Sequence, residues 1–460
     1  MFQLINNILH EFREKIKREK TWRWFVIIVL GFMLRSSKNG VTSIIGAMRL
    51  KPRLYHTMLH FFRSTAYKVE ELYEKWVKVA IRQGEVVRKC GRLLILGDHS
   101  KVSKEGLRMP GVEILQQDSQ NSGKAEYIMG HNYGQVSAVI TNGKVSRSLP
   151  LVTQLQKSPA KNESGDSLVV QMLNLVVKTT EWVGEPTVVA LDAYFSSERA
   201  WSVIDKKITS TGERLVEIVT RAQKNTVAYS VPQKPTEKKR GQPRKYGEKI
   251  VLSSLFADMS KFTETTMELY GKQTKVKYLC LDLIWRPVKK LVRFVLVESD
   301  SGRCILMSSN LTFSPEDIIT VYALRFKIEP SFAEQKNDVG CFGYHFWTTA
   351  LPKRKKWRKS EESANVNVEA ALRASQSFVC LSTIATGILT LIAFSHSSEI
   401  WQHYSGWIKT LRSPIPSIAT VKSSLALAFH DFLPALVHLK SFAFIKPLLR
   451  NSLFLYSDVA

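Results

Sequence analysis

The chain has 460 residues, of which 44% are hydrophobic, enough for two or three packed domains and too many for a wholly disordered chain. Lys and Arg number 66 against 40 acidic residues, which gives a formal net charge of +26 at pH 7. The five cysteines form no CxxC pair, so neither a disulfide framework nor a zinc ribbon is expected. The charge indicates a polyanionic partner: nucleic acid is preferred over an anionic membrane surface, and a solvated basic surface is the alternative.

Residues 1 to about 90 have the apolar spacing of helices throughout. A helical run (VTSIIGAM) is followed by a break at Lys51-Pro52 and by a second run that carries His56, His60 and Arg63. This pair resembles a helix-turn-helix, whose second helix enters the major groove of DNA. The same pattern is common in other helical domains, so both interpretations remain open.

From Gly91 the pattern changes to strands that alternate with helices, which is typical of an α/β domain. The run SLVVQMLNLVVKTTEWVG predicts a helix of about 17 residues. It leads into a buried strand, TVVALDAYFS, and the next helix has Ser196 or Ser197 as its N-cap. Two strands of this region, LLILGD and VVALD, are expected to end on an acidic residue.

The two acids at these strand ends are Asp98 and Asp192. An unpaired carboxylate at the edge of a core is costly, so two of them in one context indicate a shared ligand. A divalent metal is the usual ligand for such a pair. Helix capping or ion pairing of each acid alone is the alternative.

Residues 232–249 are polar, basic and rich in Pro and Gly, which predicts an exposed loop. Arg240, Arg244 and Lys245 in this loop resemble a hook that enters the minor groove of DNA. Gln242 stands where such hooks usually have arginine, so a solvated loop is the preferred interpretation.

Four polar residues of the helical run PEDIITVYALRFKIEPSFAEQKNDV share one face, within about 60° at 100° per residue. They are Tyr322, Arg325, Glu329 and Lys336. A solvated face or a metal-binding carboxylate flanked by phosphate-binding groups fits this pattern. Glu334, the rival carboxylate, lies about 140° from Glu329. Pro330 predicts either a kink or a new helix that begins with Pro330 in its first turn.

The last hundred residues include a basic cluster at 353–359 and then mostly apolar helix. Residues 378–394 are at the lower limit of membrane-spanning length, but they contain Ser382, Thr383, Thr386 and Thr390. We therefore predict a buried helix there, with a membrane protein as the alternative. The apolar run at 25–34 is too short to span a membrane.

The pattern Y-x2-R-x3-E-x6-K, together with the two upstream acids and the LDAYFS segment, resembles the DDE transposases of bacterial insertion sequences. The resemblance implies an RNase H-like core with a mostly β insertion, between a helical N-terminal domain and a helical C-terminal region. The implied domains are a helical DNA-binding domain at 1–90 and a catalytic domain at 91–350, with the insertion near 225–305. The helical C-terminal region at 351–460 follows them, and oligomerisation is one interpretation of its role.

The resemblance also implies a mechanism in which Asp98, Asp192 and Glu329 are catalytic and hold two Mg2+ or Mn2+ ions. Tyr322, Arg325 and Lys336 are then expected to contact phosphates at the transposon end. The implied partners are terminal inverted repeats, target DNA and a second copy of the chain in the DNA complex. The implied location is the bacterial cytoplasm, on DNA, without a membrane. The rivals are an RNase H-like nuclease without strand transfer and an inactive or domesticated DNA-binding protein.

Further residues are weaker candidates for DNA contact. Lys101, Lys104 and Arg108 follow the first acid and either track DNA or belong to a solvated loop. His99 either lies near the scissile phosphate or, as we prefer, is structural. Trp285 lies in the expected insertion and either stacks on a flipped base or belongs to the core. Walker, HExxH and G-x-S-x-G motifs are absent from the sequence, which argues against ATPase, zinc protease and α/β-hydrolase functions.

Overall fold

A computed structural model describes residues 1–38, 40–117, 125–159, 162, 164–232, 244–353, 365–404, 406, 413–432 and 435–450. Its helices, apart from short 3-10 segments, are α1 Phe2–Glu11, α2 Glu19–Leu34, α3 Thr42–Ala47, α4 Tyr55–Arg63, α5 Val69–Gln83, α6 Leu168–Val183, α7 Glu198–Ile204, α8 Pro315–Arg325, α9 Ile328–Glu334, α10 Val366–Ser395, α11 Ser397–His403 and α12 Ile418–Phe432. A π-helical turn, Gln335–Val339, follows α9.

The strands of the described residues belong to one mixed sheet. They are β1 Arg88–Lys89, β2 Arg92–Ser103, β3 Glu113–Gln116, β4 Tyr127–Thr141, β5 Ser146–Gln156, β6 Thr187–Ala190, β7 Val216–Arg221, β8 Val227–Tyr229, β9 Lys249–Val251, β10 Thr263–Leu269, β11 Lys272–Trp285, β12 Lys290–Ser299 and β13 Gly302–Ser308. The central strands β2, β6 and β7 are parallel neighbours, while β4 and β5 continue the sheet in antiparallel pairing from β2.

Side chains of β2 alternate between two apolar cores, one on each face of the sheet. Leu93 and Ile95 belong to the larger core, which also contains α2, α5, α6 and α10. Leu94 and Leu96 belong to the smaller core, which contains residues of α8 and α9. Because successive side chains of a strand point to opposite faces, the face on which each later β2 side chain lies follows from its number. The α8–α9 pair covers the face to which even-numbered β2 residues belong.

The N-terminal and C-terminal helices pack together on one side of the sheet. The long helix α10 contacts β5, α2, α4, α5 and α12. It is the one described helix that is long and apolar enough to cross a membrane, but its most apolar window is 94% buried inside the protein. The prediction that 378–394 is a buried helix is confirmed. Gly387 allows the close approach of α10 to α5, since an added Cβ would lie 2.0 Å from the Trp76 ring.

The structure decides several points that the sequence left open. Residues 225–305 are rich in β-strand as expected, but these strands extend the central sheet, because β13 pairs with β7 and β12 and β11 follow. Trp285 is buried and packs edge-on against Trp201 at 5.3 Å, so it belongs to the core and is not placed to stack on a base. Ser197 occupies the N-cap position of α7 but makes no side-chain capping hydrogen bond. All five cysteines are free thiols.

Candidate active site

Strand register places Asp98 and Asp192 at the same level of the sheet. Leu96 pairs with Ala190 in the parallel β2–β6 ladder, and each acid lies two residues further along the chain. Asp192 follows the end of β6, as expected, and its Oδ1 accepts a hydrogen bond from the Tyr194 amide at 3.0 Å. Asp98, by contrast, lies inside β2, which continues to Ser103 beside β4. The expectation that Asp98 ends its strand is therefore wrong, because the antiparallel partner β4 pairs beyond the end of β6.

The same alternation turns Asp98 toward the α8–α9 helices. Asp98 follows Leu94 and Leu96 at intervals of two, so its side chain emerges on the face that these helices cover. The adjacent His99 points to the opposite face, where its Nε2 lies 2.6 Å from Gln156 Oε1. Burial lowers the pKa of His99 to about 4, so the ring is neutral at pH 7. These observations agree with the preferred structural role of His99.

The helical signature is divided between two helices. Tyr322 and Arg325 lie in the last turns of α8, and Glu329 lies in the first turn of α9. Pro330 also lies in that first turn, where its missing N–H costs nothing, so the second of the two predicted outcomes for proline is confirmed. Lys336 lies in the π-helical turn, and its Nζ is 3.4 Å from the main-chain oxygen of Lys101 on β2.

Arg325 contacts both Asp98 on β2 and Glu329 on α9. Its Nη1 lies 3.4 Å from Asp98 Oδ2, and its Nη2 lies 3.2 Å from Glu329 Oε1. The side chains of Arg325 and Asp98 are largely buried, at 14% and 19% exposure, whereas that of Glu329 is 46% exposed. The guanidinium carbon also lies 5.8 Å from the centre of the Tyr322 ring. Arg325 therefore contacts Asp98 directly, and it also contacts two other signature residues, Tyr322 and Glu329.

The electrostatics indicate a site with excess negative charge. Burial and the neighbouring charge of Asp192 raise the pKa of Asp98 to about 7, and Glu329 adds to the rise. The amide of His99 and the charge of Arg325 oppose this shift. Burial also raises the pKa of Tyr322, whose environment includes Arg325, Arg221 and Asp192. Burial tends to lower the pKa of Arg325, but Tyr322 and the two carboxylates raise it above its ordinary value.

The donor chemistry of this site fits a divalent cation. Asp98, Asp192 and Glu329 offer only carboxylate oxygens, which are the ligands that Mg2+ and Mn2+ prefer. The positive charge between Asp98 and Glu329 is supplied in this structure by the Arg325 guanidinium. Among the described residues, no three His, Cys, Asp or Glu side chains are close enough together to hold a metal ion. A cation held by all three acids therefore requires their side chains to lie closer together than they do in this structure.

Glu334, the rival carboxylate, lies away from this site. Burial raises its pKa to about 7, and the charged groups nearest to it are Arg147 and Asp338. Arg147 itself donates to main-chain oxygens of Ile415 and Pro416, on the side of the C-terminal helices. The structure thus places Glu329, and not Glu334, beside Asp98.

The other predicted DNA-binding residues are dispersed. Lys104 is buried, its Nζ donates to the Phe342 carbonyl and lies 3.5 Å from the centre of the Tyr344 ring, so it does not face an external strand of DNA. The Lys101 ammonium donates to the Gln116 carbonyl. Arg244 and Lys245 are exposed, whereas Arg240 lies outside the described residues. Arg108 lines a cavity with Trp347.

A buried glutamine pair that the sequence did not reveal fixes α9 to the sheet. Gln135 is the cross-strand partner of Asp98 on β4, and it is fully buried. Its Oε1 accepts hydrogen bonds from Gln335 Nε2 at 2.7 Å and from Thr153 Oγ1 at 3.1 Å. Its Nε2 lies 3.4 Å from Ser331 Oγ. In the sequence, Gln135 is recognisable as a polar residue on an apolar strand, but this pattern does not predict which helix it contacts.

Comparison with known proteins identifies the family. The sequence profile of a family described as DDE superfamily endonuclease matches residues 11–277, which is more than half of the chain. The chain belongs to the DDE superfamily endonuclease family. The matched residues of this family member include Asp98 and Asp192, whereas Glu329 lies beyond them. Membership supports a nuclease activity that has DNA as its substrate and uses divalent metal ions.

A solved structure is weakly similar to this endonuclease family member. The solved structures include a similar chain described as the NurA nuclease from Sulfolobus solfataricus, at 10% sequence identity and a TM-score of 0.23. That similarity covers 62% of this chain and 92% of the other, and it is too slight to carry an argument. A search of curated proteins finds no match.

Proposed function

We propose that this endonuclease family member is a DNA transposase, which cleaves the ends of a mobile element and joins the resulting 3′-hydroxyls to target DNA. The observation that carries the proposal is the position of the Y-x2-R-x3-E-x6-K residues over the sheet face that bears the two aspartates. Arg325 contacts both Asp98 and Glu329, so residues far apart in the sequence meet at one point.

The fold supports this proposal through its central strands. Strands β5, β4, β2, β6 and β7 form a mixed sheet with helices on both faces. That architecture agrees with the RNase H-like core that the signature implies, and we propose that these five strands are that core. The strands from β8 to β13 then correspond to the β-rich insertion between the second acid and the glutamate.

Asp98, Asp192 and Glu329 are the proposed metal ligands. Two bound divalent ions supply activation of a water or 3′-hydroxyl and stabilisation of the leaving oxygen in an in-line attack on phosphorus. The raised pKa of Asp98 fits this role, because a carboxylate crowded by like charge gains most from a nearby cation. Either metal loading or protonation relieves this repulsion.

The signature cations are proposed to bind DNA phosphates. The planar guanidinium of Arg325 can form two parallel hydrogen bonds with a phosphate, and its largely buried position restricts its orientation. Lys336 adds a point charge beside the end of β2. Tyr322 stacks near Arg325 and limits the directions that its side chain can take.

DNA binding by the N-terminal helices is a separate part of the proposal. Helix α4 buries Met58, Phe61 and Phe62, while His56, His60 and Arg63 are exposed. The exposed side is consistent with a recognition helix, and Arg63→Gln tests it. If the helix binds DNA, this variant weakens binding and reduces its dependence on salt, because each lost phosphate contact removes about one unit of salt slope.

Cleavage is tested with the purified full-length protein, Mg2+ or Mn2+, and DNA fragments that carry the sequences flanking the gene. Asp98→Asn, Asp192→Asn and Glu329→Gln are expected to abolish strand cleavage on a denaturing gel while circular dichroism shows a folded chain. Glu334→Gln is the matched control, since it removes a carboxylate from the same helix on another side. Cleavage that survives all three substitutions contradicts the site.

Strand transfer distinguishes a transposase from a nuclease. Pre-cleaved ends with free 3′-hydroxyls are incubated with a supercoiled plasmid, and joined products are detected by size and sequencing. Joined products that require the three acids support the transposase proposal. Cleavage without joining supports the RNase H-like nuclease alternative, and DNA binding without cleavage supports the inactive DNA-binding alternative.

A further inference from the structure

A cavity of about 420 Å³ lies between the segment after β2 and the segment after the π-helical turn. Its lining includes Leu107, Arg108 and Met109 from the first segment and His345, Trp347 and Lys353 from the second. The main chains of the two segments are joined by a hydrogen bond from the Thr348 amide to the Arg108 carbonyl at 3.1 Å. The cavity is therefore a built feature of the fold and not a gap between independent loops.

The lining combines an exposed aromatic ring with fixed positive charge. Trp347 is 55% exposed and Leu107 is 49% exposed, so both side chains present apolar surface at the cavity. Arg108 and Lys353 supply positive charge. Burial lowers the pKa of His345, so its ring is mainly neutral at pH 7, and Glu105 is the acidic group that faces it. The cavity therefore has an apolar wall and a cationic wall.

The Arg108 side chain leaves a donor for a ligand. Within the part of the chain that the structure describes, its buried Nε has no hydrogen-bond partner. A buried donor without a partner costs about 1–3 kcal/mol, and an anionic oxygen that reached Nε after a shift of the Arg108 side chain would remove that cost. A phosphate oxygen satisfies this requirement, and guanidinium groups bind phosphate well.

The two segments are continuous with the strands and helices of the candidate active site. The first segment follows β2, which carries Asp98, and the second follows α9 and its π-helical turn, which carry Glu329 and Lys336. A buried hydrogen bond from the Lys104 ammonium to the Phe342 carbonyl also connects the two segments. The cavity is therefore connected through the main chain to the strand that carries Asp98 and to the helix that carries Glu329.

We propose that this cavity binds one unpaired nucleotide of a DNA strand, with its base against the Trp347 ring and its phosphate at Arg108 and Lys353. Its size suits a single nucleotide, at the small end of the range for ligand pockets. A paired base cannot reach the ring, because it stays stacked inside its duplex. The inference rests on the proposed action on DNA, but it does not require strand transfer.

The test compares two DNA ligands of equal length with the full chain at low salt, by fluorescence anisotropy of labelled DNA. One is a blunt duplex, and the other carries a short single-stranded overhang. The wild-type chain is expected to prefer the overhang. Trp347→Ala is expected to weaken binding of the overhang DNA by about 5- to 150-fold, the range that corresponds to loss of base stacking on an aromatic ring. Trp347→Phe is expected to retain most of the preference.

Arg108→Gln supplies an independent variant and Leu427→Ala a control. Arg108→Gln is expected to weaken overhang binding and to lower its salt dependence, whereas Leu427→Ala removes an exposed apolar side chain on α12 and is expected to change neither. Equal wild-type binding of both ligands, or an unchanged preference in Trp347→Ala, overturns the proposal. A preference for the overhang without any cleavage supports the cavity and counts only against the catalytic proposal.

Self-association separates the nucleotide site from a protein-binding surface. Sedimentation velocity of the wild type and Trp347→Ala is measured without DNA. If the substitution lowers self-association and leaves overhang binding unchanged, the exposed ring serves contact between copies and the nucleotide proposal is wrong. Absence of all DNA binding at low salt overturns both the cavity and the proposed function.

Discussion

Replacement of the buried Gln135 by leucine tests whether a polar network holds the Glu329 helix in register with Asp98. Gln135 lies opposite Asp98 in the β2–β4 ladder, and its amide bonds Gln335 of the π-helical turn. Ser331, two residues after Glu329, lies 3.4 Å from the same amide. The Gln135→Leu substitution conserves approximate volume and removes every one of these polar contacts.

The expected cost follows from the groups that the substitution leaves behind. The amide of Gln335 and the hydroxyl of Thr153 both lose the oxygen to which they donate, at 2.7 and 3.1 Å. Each buried donor without a partner costs about 1–3 kcal/mol, so the loss of partners for these two donors is expected to lower the free energy of unfolding by about 2–6 kcal/mol. In the Gln135→Leu/Gln335→Leu double variant both members of the 2.7 Å pair are removed, and a coupling of about 1–2 kcal/mol is expected.

The same substitution is expected to slow DNA cleavage at temperatures where the variant remains folded. A shift of α9 by a fraction of an ångström moves Glu329 relative to Asp98, and misplacement of a reacting group by about 1 Å can cost a hundredfold in rate. Urea denaturation followed by circular dichroism measures the stability, and single-turnover cleavage measures the rate. A positioning role predicts a higher requirement for Mn2+, which general destabilisation does not.

Gln156→Leu is the matched control for this prediction. Gln156 is similarly buried, but its side chain bonds His99 on the opposite face of the sheet. Its loss is expected to destabilise the fold without a comparable change in the metal requirement. The reasoning is refuted if Gln135→Leu unfolds within about 0.5 kcal/mol of the wild type, which is the usual range for substitutions away from such networks. Equal metal requirements in the two glutamine variants refute the positioning role.

Three further substitutions test other parts of the fold. Burial lowers the pKa of Lys104 to about 7 from 10.5, so the native state carries the full penalty below pH 7 and is stabilised as pH rises from 7 to 10.5. The free energy of unfolding of Lys104→Met is therefore expected to exceed that of the wild type by about 2 kcal/mol at pH 6, after discounting the lost carbonyl contacts, and by little at pH 10. Denaturation at the two pH values measures this difference. Gly387→Val is expected to destabilise the fold by about 1–3 kcal/mol, because the new side chain collides with Trp76, and a fall in Tm detects it. Trp285→Phe is expected to lower the Tm through lost packing on Trp201 while DNA affinity stays unchanged in a binding titration, since Trp285 is buried.

Local periodicity predicted the elements that carry the site. The helix α6 occupies 16 residues where the sequence indicated about 17, and β6 ends just before Asp192 as the apolar run implied. A new helix with Pro330 in its first turn was also predictable, because proline is tolerated there; α8 ends at Arg325 and α9 begins at Ile328. These features depend on residues close together in the chain.

Tertiary pairing decided what the sequence did not predict. Asp98 lies inside its strand because β4 continues to pair beyond the end of β6, and no local pattern reveals the length of a partner strand. Lys104 is buried beside a segment far away in the sequence, where the Phe342 carbonyl accepts a hydrogen bond from its ammonium. The sequence predicts strands near 225–305 but not their partners, and pairing of β13 with β7 joins these strands to the central sheet.

The position of Arg325 gives a physical reason for arginine at this point of the signature. Asp98 and Glu329 reach the site from a strand and a helix. Burial and the charge of Asp192 raise the pKa of Asp98, and repulsion from Glu329 adds to the rise. Two separate nitrogens of Arg325 contact the two carboxylates at 3.4 and 3.2 Å. A lysine ammonium carries the same charge but lacks the planar fork that reaches both acids at once. The same fork suits a phosphate, so one side chain can stabilise the acids before DNA arrives and bind the backbone when DNA is present.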